Sequence, residues 1–491
     1  MRRAVSIGIV CFWLSVVAWG VRRTWTPSSV ASAPPVLAGT GDARSVDDWM
    51  AVYHQQRKIG YTHYRLSQDG QGLGFLEESL LRITVMDAPQ TVRTLMQGHL
   101  ASDFALRDVH FALTSGVGQL DATGVIDGAG LRLTLRTGQE TSEQRLPLSE
   151  PLYMPSALRS YLGTSQLQAG REIERVVFDP MTLKNDRIHV RVEVQEAVPQ
   201  LIPEVRAWRI HEEFRGVHTT AWIDSAGGVI REEGPMGLVL VRQTKSEAED
   251  QNWDTQTALD LIATVAVPVA HPIDDPRHRR SLRLHLSGIN LETVPTDDEQ
   301  TRNGATLTIT RPDVEGLASY QLPCRDPQWA SELTPTAFLQ SDHPRIRTVA
   351  QEIVGGTDDA KAAAALLNDW VYTRLRKVPT ISVPNALQVL EMGEGDCNEH
   401  AVLFAALARA IGLPAQVIAG AVYLDGAFFY HAWCEVWLGR WVSIDPALHQ
   451  FPADATHVKF VVGGPEEHAA MLGIVGRLGI EVLDDDVARV Q

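Results

Sequence analysis

Apolar and polar residues alternate over long stretches in the first half of the chain, and this period of two constrains its fold more than any other feature. The clearest runs are Leu131, Leu133 and Leu135, followed by Ile188, Val190, Val192 and Val194. Because side chains of a strand point alternately to its two faces, such runs place one face on a core and the other in water. The pattern extends over residues 44–245 and predicts a mostly antiparallel β domain.

Turn-forming dipeptides separate these runs, among them Asp127-Gly128 and Gly227-Gly228. No segment between residues 44 and 250 shows a helical period of comparable strength, so we expect these residues to form one β domain. Four aromatic residues stand near its start: Trp49, Tyr53, Tyr61 and Tyr64. They are candidates for a ligand groove, although aromatic residues in a β domain more often belong to the core.

The N-terminal segment indicates export. Residues 4–21 carry no charge and arginines flank them on both sides; as a helix they would span about 27 Å, close to the roughly 30 Å of a hydrocarbon core. A cleaved signal peptide is the alternative, since Ala31-Ser32-Ala33 offers a small-residue site, but Pro34 follows it. We predict a signal-anchor (transmembrane) helix over residues 1–23 and a Pro/Ser/Ala linker over 24–43; both alternatives export the rest of the chain.

The overall composition excludes several classes of protein. The chain has 491 residues, with 44 Lys and Arg against 60 Asp and Glu, for a net charge of −16. A protein that binds nucleic acid needs a basic surface, and this chain is acidic, so we expect no nucleic-acid partner. Four cysteines in a chain of this length rule out a disulfide scaffold. The lack of a CxxC pair in the sequence argues against a structural zinc site.

The character of the sequence changes after residue 250. Residues 253–267 favour a short connecting helix, and two short runs with a period of two follow it. We predict that residues 251–339 form a connector helix and a small β-rich domain. Residues 340–491 contain two stretches of helical period, at 344–354 and 358–376, and are predicted to form the last domain, of α+β class.

One cysteine lies in a setting typical of a reactive thiol. Cys397 follows the Gly393-Glu394-Gly395 segment and precedes a run of strong helix formers, 398–411, that ends at Gly412. A helix N-terminus places partial positive charge and free N–H groups beside the sulfur, which favours the thiolate. On these local features alone, a buried structural cysteine is an equal alternative.

A predicted hairpin downstream supplies partners for a thiol nucleophile. Residues 426–438 favour a strand that carries His431, and residues 441–447 favour a second strand that ends near Asp445. Cys434 points to the face opposite His431 and is therefore predicted to be a core residue. A cysteine on a helix start, with a histidine and an aspartate on adjacent strands, has the parts of a thiol-based triad, in which the carboxylate fixes the imidazole tautomer.

These residues lie within a longer pattern, G-x-G-D-C-x-E-H-A, LxRAxGLPA, HAWxEVW and WVxIDPA. The pattern resembles the transglutaminase-like superfamily, most closely its bacterial exported branch, over about residues 340–465. The resemblance implies a papain-like core with Cys397 as nucleophile, His431 as general base and acid, and Asp445 as the orienting carboxylate. It also implies attack on an amide carbonyl, a thioester intermediate, and resolution by an amine or by water, with the Cys397 N–H as one oxyanion donor.

The sequence departs from animal transglutaminases at one position. Those enzymes use a tryptophan upstream of the cysteine as a second oxyanion donor, whereas Ser382 stands near that position here, so the second donor is unassigned. No acidic loop with calcium-binding spacing is present in the sequence, and we expect neither a metal nor another cofactor. A zinc site formed by Cys397, His400, His431 and Asp445 is a lesser alternative; His400 is more simply a helix residue that supports the site.

Two functions are consistent with the sequence. The first is a thiol enzyme anchored by its N-terminal helix in the bacterial periplasm or cell envelope, acting on peptide or protein amides by transamidation or hydrolysis. The second is a non-catalytic envelope protein whose β domain binds a ligand or partner. The complete triad favours the first. His449 and His457, in the segment after the hairpin, are candidates for one wall of the substrate cleft.

Overall fold

A computed structural model describes residues 45–69, 72–85, 88–116, 118–128, 130–137, 140–164, 167–201, 203–250, 265–380 and 383–483. These residues belong to two compact units, one within 45–250 and the other within 265–483. The predicted signal-anchor and linker lie outside the described residues, as does nearly all of the connector helix. Within the described part of the chain, no helix has both the length and the apolar character that crossing a membrane requires.

The first unit is built on one sheet of 15 strands. The strands are β1 Val46–His54, β2 Arg57–Asp69, β3 Gly72–Val85, β4 Ala88–Leu100, β5 Leu106–Ser115, β6 Gly118–Asp127, β7 Gly130–Thr137, β8 Glu140–Pro147, β9 Leu152–Tyr153, β10 Glu172–Asp179, β11 Lys184–Ala197, β12 Arg206–Phe214, β13 Val217–Ile223, β14 Val229–Glu233 and β15 Leu238–Gln243. Their order runs from β8 back to β1, then from β15 back to β9, so the first and last strands pair in the middle. Only the β9–β10 pair in this described sheet is parallel, which agrees with the predicted large antiparallel sheet.

The predicted alternation holds along most of these strands and fails at one residue. The three alternating leucines of β7 are at most 3% exposed, and Ile188, Val190 and Val192 of β11 are buried as well. Val194 was expected on the same face but is 42% exposed. The pairing of β11 with β12 shifts register between Val192 and Gln195, and such a bulge turns the following side chains to the other face.

The first unit also contains two helices that the sequence pattern did not predict. Helix α1, Pro155–Thr164, buries Leu158 and Leu162, which are four residues apart and therefore on one face. Helix α2, Lys245–Glu249, is capped by Thr244. Both helices are short, so neither contains enough apolar residues for a helical period to stand out in a sequence dominated by strands.

The second unit combines helices with shorter sheets. Its helices are α3 Pro344–Val354, α4 Ala360–Arg374, α5 Ala386–Met392 and α6 Cys397–Ala410. Its strands are β16 Val267–Pro268, β17 Ser281–Ser287, β18 Gln300–Asn303, β19 Thr306–Thr310, β20 Arg376–Lys377, β21 Glu394–Gly395, β22 Ala415–Leu424, β23 Ala427–Trp437, β24 Trp441–Ile444, β25 His457–Val462 and β26 Gly479–Val482. The largest sheet here has the order β16-β23-β22-β25, and β24 pairs with β23 to form the predicted hairpin.

The predicted small β-rich domain does not stand apart from the residues that follow it. Strands β17, β18 and β19 form a sheet with β26, which comes from the end of the described chain. The pairing runs from Leu284 opposite Val482 to Ser287 opposite Gly479. The predicted boundary at residue 339 therefore lies inside one compact unit, because a strand pairing over this sequence distance leaves no local pattern.

Helix α6 lies at the centre of the second unit. Every residue from Cys397 to Ala408 is buried. Helices α3, α4 and α5 pack against it, as do strands β22 and β23. Alanines at 401, 405, 406 and 408 keep the helix narrow enough for neighbours on all sides, and a helix that is apolar all round is a core helix. Its N-terminal residue, Cys397, is thereby held in the interior.

Candidate active site

The start of helix α6 is fixed by reciprocal hydrogen bonds between side chains and backbone. Asp396 is the N-cap residue; its Oδ1 accepts from the Asn398 N–H at 3.0 Å. In return, the Asp396 N–H donates to Glu399 Oε2 at 2.8 Å, which completes a capping box. Cys397, the first helical residue, therefore takes a defined position at the positive end of the helix dipole.

Gly395 is required by the way Glu399 folds back over this turn. A Cβ atom on residue 395 would lie 2.4 Å from the Cβ of Glu399, well inside contact distance. Any larger residue would displace the Glu399 side chain and break the capping box. The glycine of the G-D-C sequence thus makes room for the cap that positions Cys397.

The sulfur of Cys397 lies in the protein interior. The residue is 0% exposed, and its Sγ is 3.8 Å from Asp396 Oδ1. Burial, together with the Glu399 carboxylate, raises the pKa of Asp396 well above its usual range, so this neighbour has little tendency to carry a negative charge beside the sulfur. A nucleophilic role requires this sulfur as a thiol or thiolate.

His431 and Asp445 form a buried hydrogen-bonded pair on the β23–β24 hairpin. His431 Nε2 is 2.6 Å from Asp445 Oδ2, and both side chains are 0% exposed. The other carboxylate oxygen, Oδ1, accepts from the N–H groups of Ala447 and Leu448, each at 2.8 Å. The turn after β24 therefore fixes the carboxylate, and the carboxylate fixes the imidazole.

Burial and charge set the protonation of this pair. Burial lowers the pKa of His431, although the Asp445 carboxylate acts in the opposite direction. For Asp445, burial acts to raise the pKa, but His431 and His457 outweigh it and hold the pKa far below the usual range. The geometry thus describes an ionised carboxylate that orients a mainly neutral imidazole near pH 7.

Helix α6 begins against the strand that carries His431. The Cys434 thiol donates to the Ala401 carbonyl oxygen at 3.2 Å, which fixes the first turns of the helix on β23. Cys434 is fully buried, as predicted from its face of the strand. His400, in the first turn of the helix, has a pKa that burial lowers most; the charge of Asp445 acts to raise it and that of His431 to lower it. The helix start and the His431–Asp445 pair therefore share one buried region.

His457 belongs to this region in a way that the sequence did not predict. Its Nε2 lies 3.1 Å from Asp445 Oδ2, and its Nδ1 lies 3.2 Å from Asp454 Oδ1. Burial alone would lower the pKa of His457, but Asp454 and Asp445 outweigh it and raise the pKa to about 10. His457 is therefore a buried imidazolium between two carboxylates rather than a residue of an open cleft wall.

The Trp433 ring packs against both histidines. Its ring centroid is 6.0 Å from that of His431, nearly parallel, and 5.1 Å from that of His457, edge to face. Gly420, on the neighbouring strand β22, permits this packing, because a Cβ there would lie 2.6 Å from the Trp433 ring and 2.0 Å from the Val458 carbonyl oxygen. The two imidazoles also contact each other, with centroids 5.8 Å apart, so the three rings form one packed cluster.

The donor set that could hold a metal ion differs from the one considered in the sequence. Within the described residues, side-chain donors of His431, Asp445 and His457 lie within 4.8 Å of one another. His400 does not join them, since its Nδ1 is 2.5 Å from the carbonyl oxygen of Asp396 in its own helix. The Nε2 atoms of both imidazoles hydrogen-bond to the same Asp445 oxygen, so these donor atoms already have partners without a metal ion.

Two other residues that the sequence marked as candidates lie away from the His431–Asp445 pair or outside the described residues. Ser382, near the unassigned second oxyanion donor, lies outside the described residues. His449 is exposed, hydrogen-bonds to Asp369, and stacks on Tyr372 with ring centroids 4.3 Å apart. It therefore belongs to a surface cluster and takes no part in the His431–Asp445 pair.

The comparison with protein families concerns the second unit. Residues 347–446 match the sequence model of the transglutaminase-like superfamily. That range includes Cys397, His431 and Asp445 and ends before His457. The chain therefore carries a transglutaminase-like domain, as the motifs indicated.

A sequence relative and two solved structures are similar to parts of this chain. An uncharacterized protein of Mycobacterium leprae is 27% identical over 126 residues, 23% of this chain and 44% of its own length, so the chain matches less than half of that relative. A provisionally named cysteine protease from Cytophaga hutchinsonii has 16% identity and a TM-score of 0.31 over 42% of this chain and 90% of its own. A β-barrel-like protein of a domain of unknown function from Brucella abortus has 11% identity and a TM-score of 0.32, over 41% and 96%. With TM-scores below 0.5, neither structure supports a further argument.

Proposed function

We propose that the transglutaminase-like domain is a thiol enzyme that acts on amide bonds of peptides or proteins, with Cys397, His431 and Asp445 as its triad. The observation that carries the proposal is the buried 2.6 Å contact between His431 Nε2 and Asp445 Oδ2. His431 lies on β23, the strand against which helix α6 begins. An imidazole held in this way by a carboxylate has a fixed tautomer and can exchange a proton with a thiol.

The first chemical step is the formation of the thiolate. Because Nε2 of His431 is directed at Asp445, Nδ1 is the ring nitrogen that takes the proton from the Cys397 thiol. The helix dipole favours the thiolate, and an uncharged Asp396 does not oppose it. Asp445 stabilises the imidazolium that forms, since its carboxylate remains ionised.

The thiolate then attacks the carbonyl carbon of a substrate amide. A C–S bond forms, the carbonyl oxygen takes the negative charge, and the Cys397 N–H at the helix start donates to it. When the C–N bond breaks, His431 returns its proton to the leaving ammonia or amine, and a thioester remains. A primary amine or water, deprotonated by His431, attacks the thioester and releases a new amide or a carboxylate together with the thiolate.

His457 supports this chemistry as a positioning residue. Its imidazolium contacts Asp445 Oδ2, so that two backbone N–H groups on Oδ1 and two imidazoles on Oδ2 fix the carboxylate. Its positive charge also acts together with burial, the main cause, to lower the pKa of His431. Asp454 in turn fixes His457.

Alkylation kinetics test the activated thiol. The protein is reduced, the reductant is removed, and the rate at which iodoacetamide modifies Cys397 is followed against pH by peptide mass spectrometry. Cys324, a partly exposed free cysteine, is an internal reference for an ordinary thiol. We expect Cys397 to react faster than Cys324 at pH 6 to 7 and to lose this advantage in His431→Ala. Equal rates in wild type and His431→Ala would refute the triad.

A second experiment separates transamidation from hydrolysis. The reduced protein is incubated with a glutamine-containing protein and a labelled primary amine. Label incorporation that disappears in Cys397→Ser but persists in Cys324→Ala indicates transamidation. Amide or peptide cleavage without incorporation indicates hydrolysis, while neither product in any variant favours the non-catalytic envelope protein as the alternative.

The proposed location is the periplasm or cell envelope of a bacterium, with residues 1–23 as the membrane anchor. The support is the uncharged segment 4–21 with arginines on both sides. Fusion of alkaline phosphatase after residue 43 tests it, because that enzyme is active only after export. Activity in the membrane fraction supports an anchor, activity in the soluble periplasmic fraction supports a cleaved signal peptide, and no activity contradicts export.

A further inference from the structure

The first unit contains a cavity of about 320 Å³ on one face of its 15-stranded sheet. Residues of β1 to β4, β14 and β15 form its floor, and the start of helix α1 contributes a wall. This volume is at the small end of the range of about 300–1,000 Å³ that is typical of ligand pockets. None of the residues that line it belongs to the transglutaminase-like domain.

A row of four side chains crosses the floor of the cavity. Asp48 lies opposite Tyr64, Tyr64 opposite Glu77, and Glu77 opposite Met96, on four successive strands. Directly opposed residues of antiparallel strands share a face, so the row presents carboxyl, phenol, carboxyl and thioether groups side by side. Tyr64 is one of the four aromatic residues that the sequence marked as candidates for a ligand groove.

The basic groups near this row are already engaged by acids. Arg159 donates to Glu212 from Nε at 2.9 Å and from Nη2 at 2.6 Å, and to Glu232 from Nη1 at 2.5 Å. Arg242 lies 3.0 Å from Asp48, whose other oxygen accepts from the Val229 N–H at 2.7 Å. An anionic ligand would therefore find no arginine here with its charge unopposed.

Glu77 is the acid of this cluster that has no such partner. Its Oε2 is buried without a hydrogen bond, and within the described residues no basic side chain forms an ion pair with it. Burial raises the pKa of Glu77, while the Ser156 hydroxyl and the more distant charge of Arg159 act against that rise. A buried carboxyl group without a cation tends to take up a proton, and an ammonium group bound beside it would favour the carboxylate instead.

The remainder of the lining is apolar and adaptable. Met50, Met96, Met154 and Leu240 contribute to it, and methionine side chains adjust to ligands of different shape. The cavity therefore offers one acidic anchor beside an apolar space. Among the described residues around the cavity, four acids, Asp48, Glu77, Glu212 and Glu232, stand against two arginines, Arg159 and Arg242, so the excess charge is negative.

We propose that this cavity binds a small amphipathic amine, with its ammonium group on Glu77 and its apolar part against the methionines. The site is independent of the thiol chemistry proposed above, because all of its residues belong to the first unit.

Calorimetric titration with n-octylammonium tests the proposal. The protein is the full chain carrying Cys397→Ser, so that the result does not depend on the triad. We expect binding of n-octylammonium and at least tenfold weaker binding of octanoate and octanol, which have the same chain length. Glu77→Gln should weaken amine binding at least tenfold. Glu78→Gln is the matched control; it changes the next residue, whose carboxylate contacts His63 on the opposite face, and should bind as the parent does.

A second variant covers the case in which Glu77→Gln does not fold. Met96→Phe fills the apolar part of the cavity without touching its charges, and should weaken the amine at least tenfold while circular dichroism stays unchanged. The proposal is wrong if octanoate or octanol binds as tightly as the amine, if none of the three binds, or if Met96→Phe and a folded Glu77→Gln bind the amine as the parent does.

Discussion

The imidazolium of His457 contacts the same oxygen of Asp445 that His431 uses, at 3.1 Å. A carboxylate with a single imidazole partner can rotate about its side-chain torsion, whereas this one is held on both oxygens. His457 lies outside the region that matches the transglutaminase-like superfamily, which ends at residue 446. The orientation of the proposed base thus depends on a strand, β25, that the motif does not include.

Replacing His457 should change the pH dependence of the thiol as well as its rate. His457→Gln can still donate a hydrogen bond to Asp445 but removes a positive charge that lowers the pKa of His431. The acid limb of the alkylation profile of Cys397 should therefore move to higher pH. His457→Ala also loses the hydrogen bond, and since a bond to a charged group is worth about 1.5–3 kcal/mol, we expect a further loss of roughly tenfold to hundredfold in rate.

The alkylation profile distinguishes these effects from general damage to the fold. Cys324 in the same samples should keep its rate in both variants. If His457→Gln lowers the rate at every pH without moving the acid limb, His457 has only a structural role.

The stability of the second unit should also depend on His457 in a pH-specific way. The pKa of His457 is raised to about 10 from an ordinary value of 6.5. A group whose pKa is higher in the folded chain stabilises the fold fully below the unfolded value, and this contribution is lost as pH rises through the folded value. The difference in free energy of unfolding between wild type and His457→Gln should therefore be largest near pH 6 and shrink towards pH 10, as measured by urea denaturation. A difference that grows with pH would contradict a charged His457.

Local sequence was sufficient to identify Cys397, His431 and Asp445 as candidates, because each lies in a short segment whose secondary structure can be predicted from its own residues. Helix α6 begins at Cys397, the residue that was predicted to lie in its first turn, and the hairpin has the expected strands. For His457, the sequence indicated only a histidine near the hairpin that could line the cleft. Its contact with Asp445 depends on the pairing of β25 with β22, which joins residues about 40 positions apart.

The first unit shows the same limit on a larger scale. The alternation predicted the strands, and mostly antiparallel neighbours followed from short turns. Nothing local predicted that β1 pairs with β15, as between Ala51 and Val241, although this pairing decides which side chains line the cavity. The bulge that exposes Val194 cannot be predicted from the local sequence either, since it depends on how β11 pairs with β12.

A buried ion pair should make a large contribution to the stability of the second unit. Lys459 Nζ contacts the carboxylates of Glu435 and Asp297, and Lys459 and Glu435 are at most 2% exposed. Lys459→Met would leave Glu435 as an unpaired buried charge, so we expect a loss of about 3–5 kcal/mol in the free energy of unfolding.

Two further variants test whether the charge, and not only the packing, is responsible. Lys459→Met combined with Glu435→Gln should recover part of the loss, because the fully buried charge is removed and only the more exposed Asp297 is left without its partner. Arg345→Met removes an exposed ion pair with Glu391 in the same unit and should cost less than about 1 kcal/mol. A Lys459→Met variant as stable as Arg345→Met would show that the buried pair is not needed.

The packing of Trp433 on Gly420 gives a prediction that links stability to the site. In Gly420→Ala the new methyl group would lie 2.0 Å from the Val458 carbonyl oxygen and 2.6 Å from the Trp433 ring, so β25 or the ring must move. Overpacking of this kind typically costs about 1–3 kcal/mol. Val458 adjoins His457 in the chain, and the Trp433 ring packs against both His431 and His457. We therefore expect slower alkylation of Cys397 together with a lower melting temperature. Gly234→Ala is the control, since its nearest neighbour would be 3.8 Å away and no change is expected. If Gly420→Ala melts at a lower temperature but Cys397 keeps its full reactivity, the position of His457 does not control the triad.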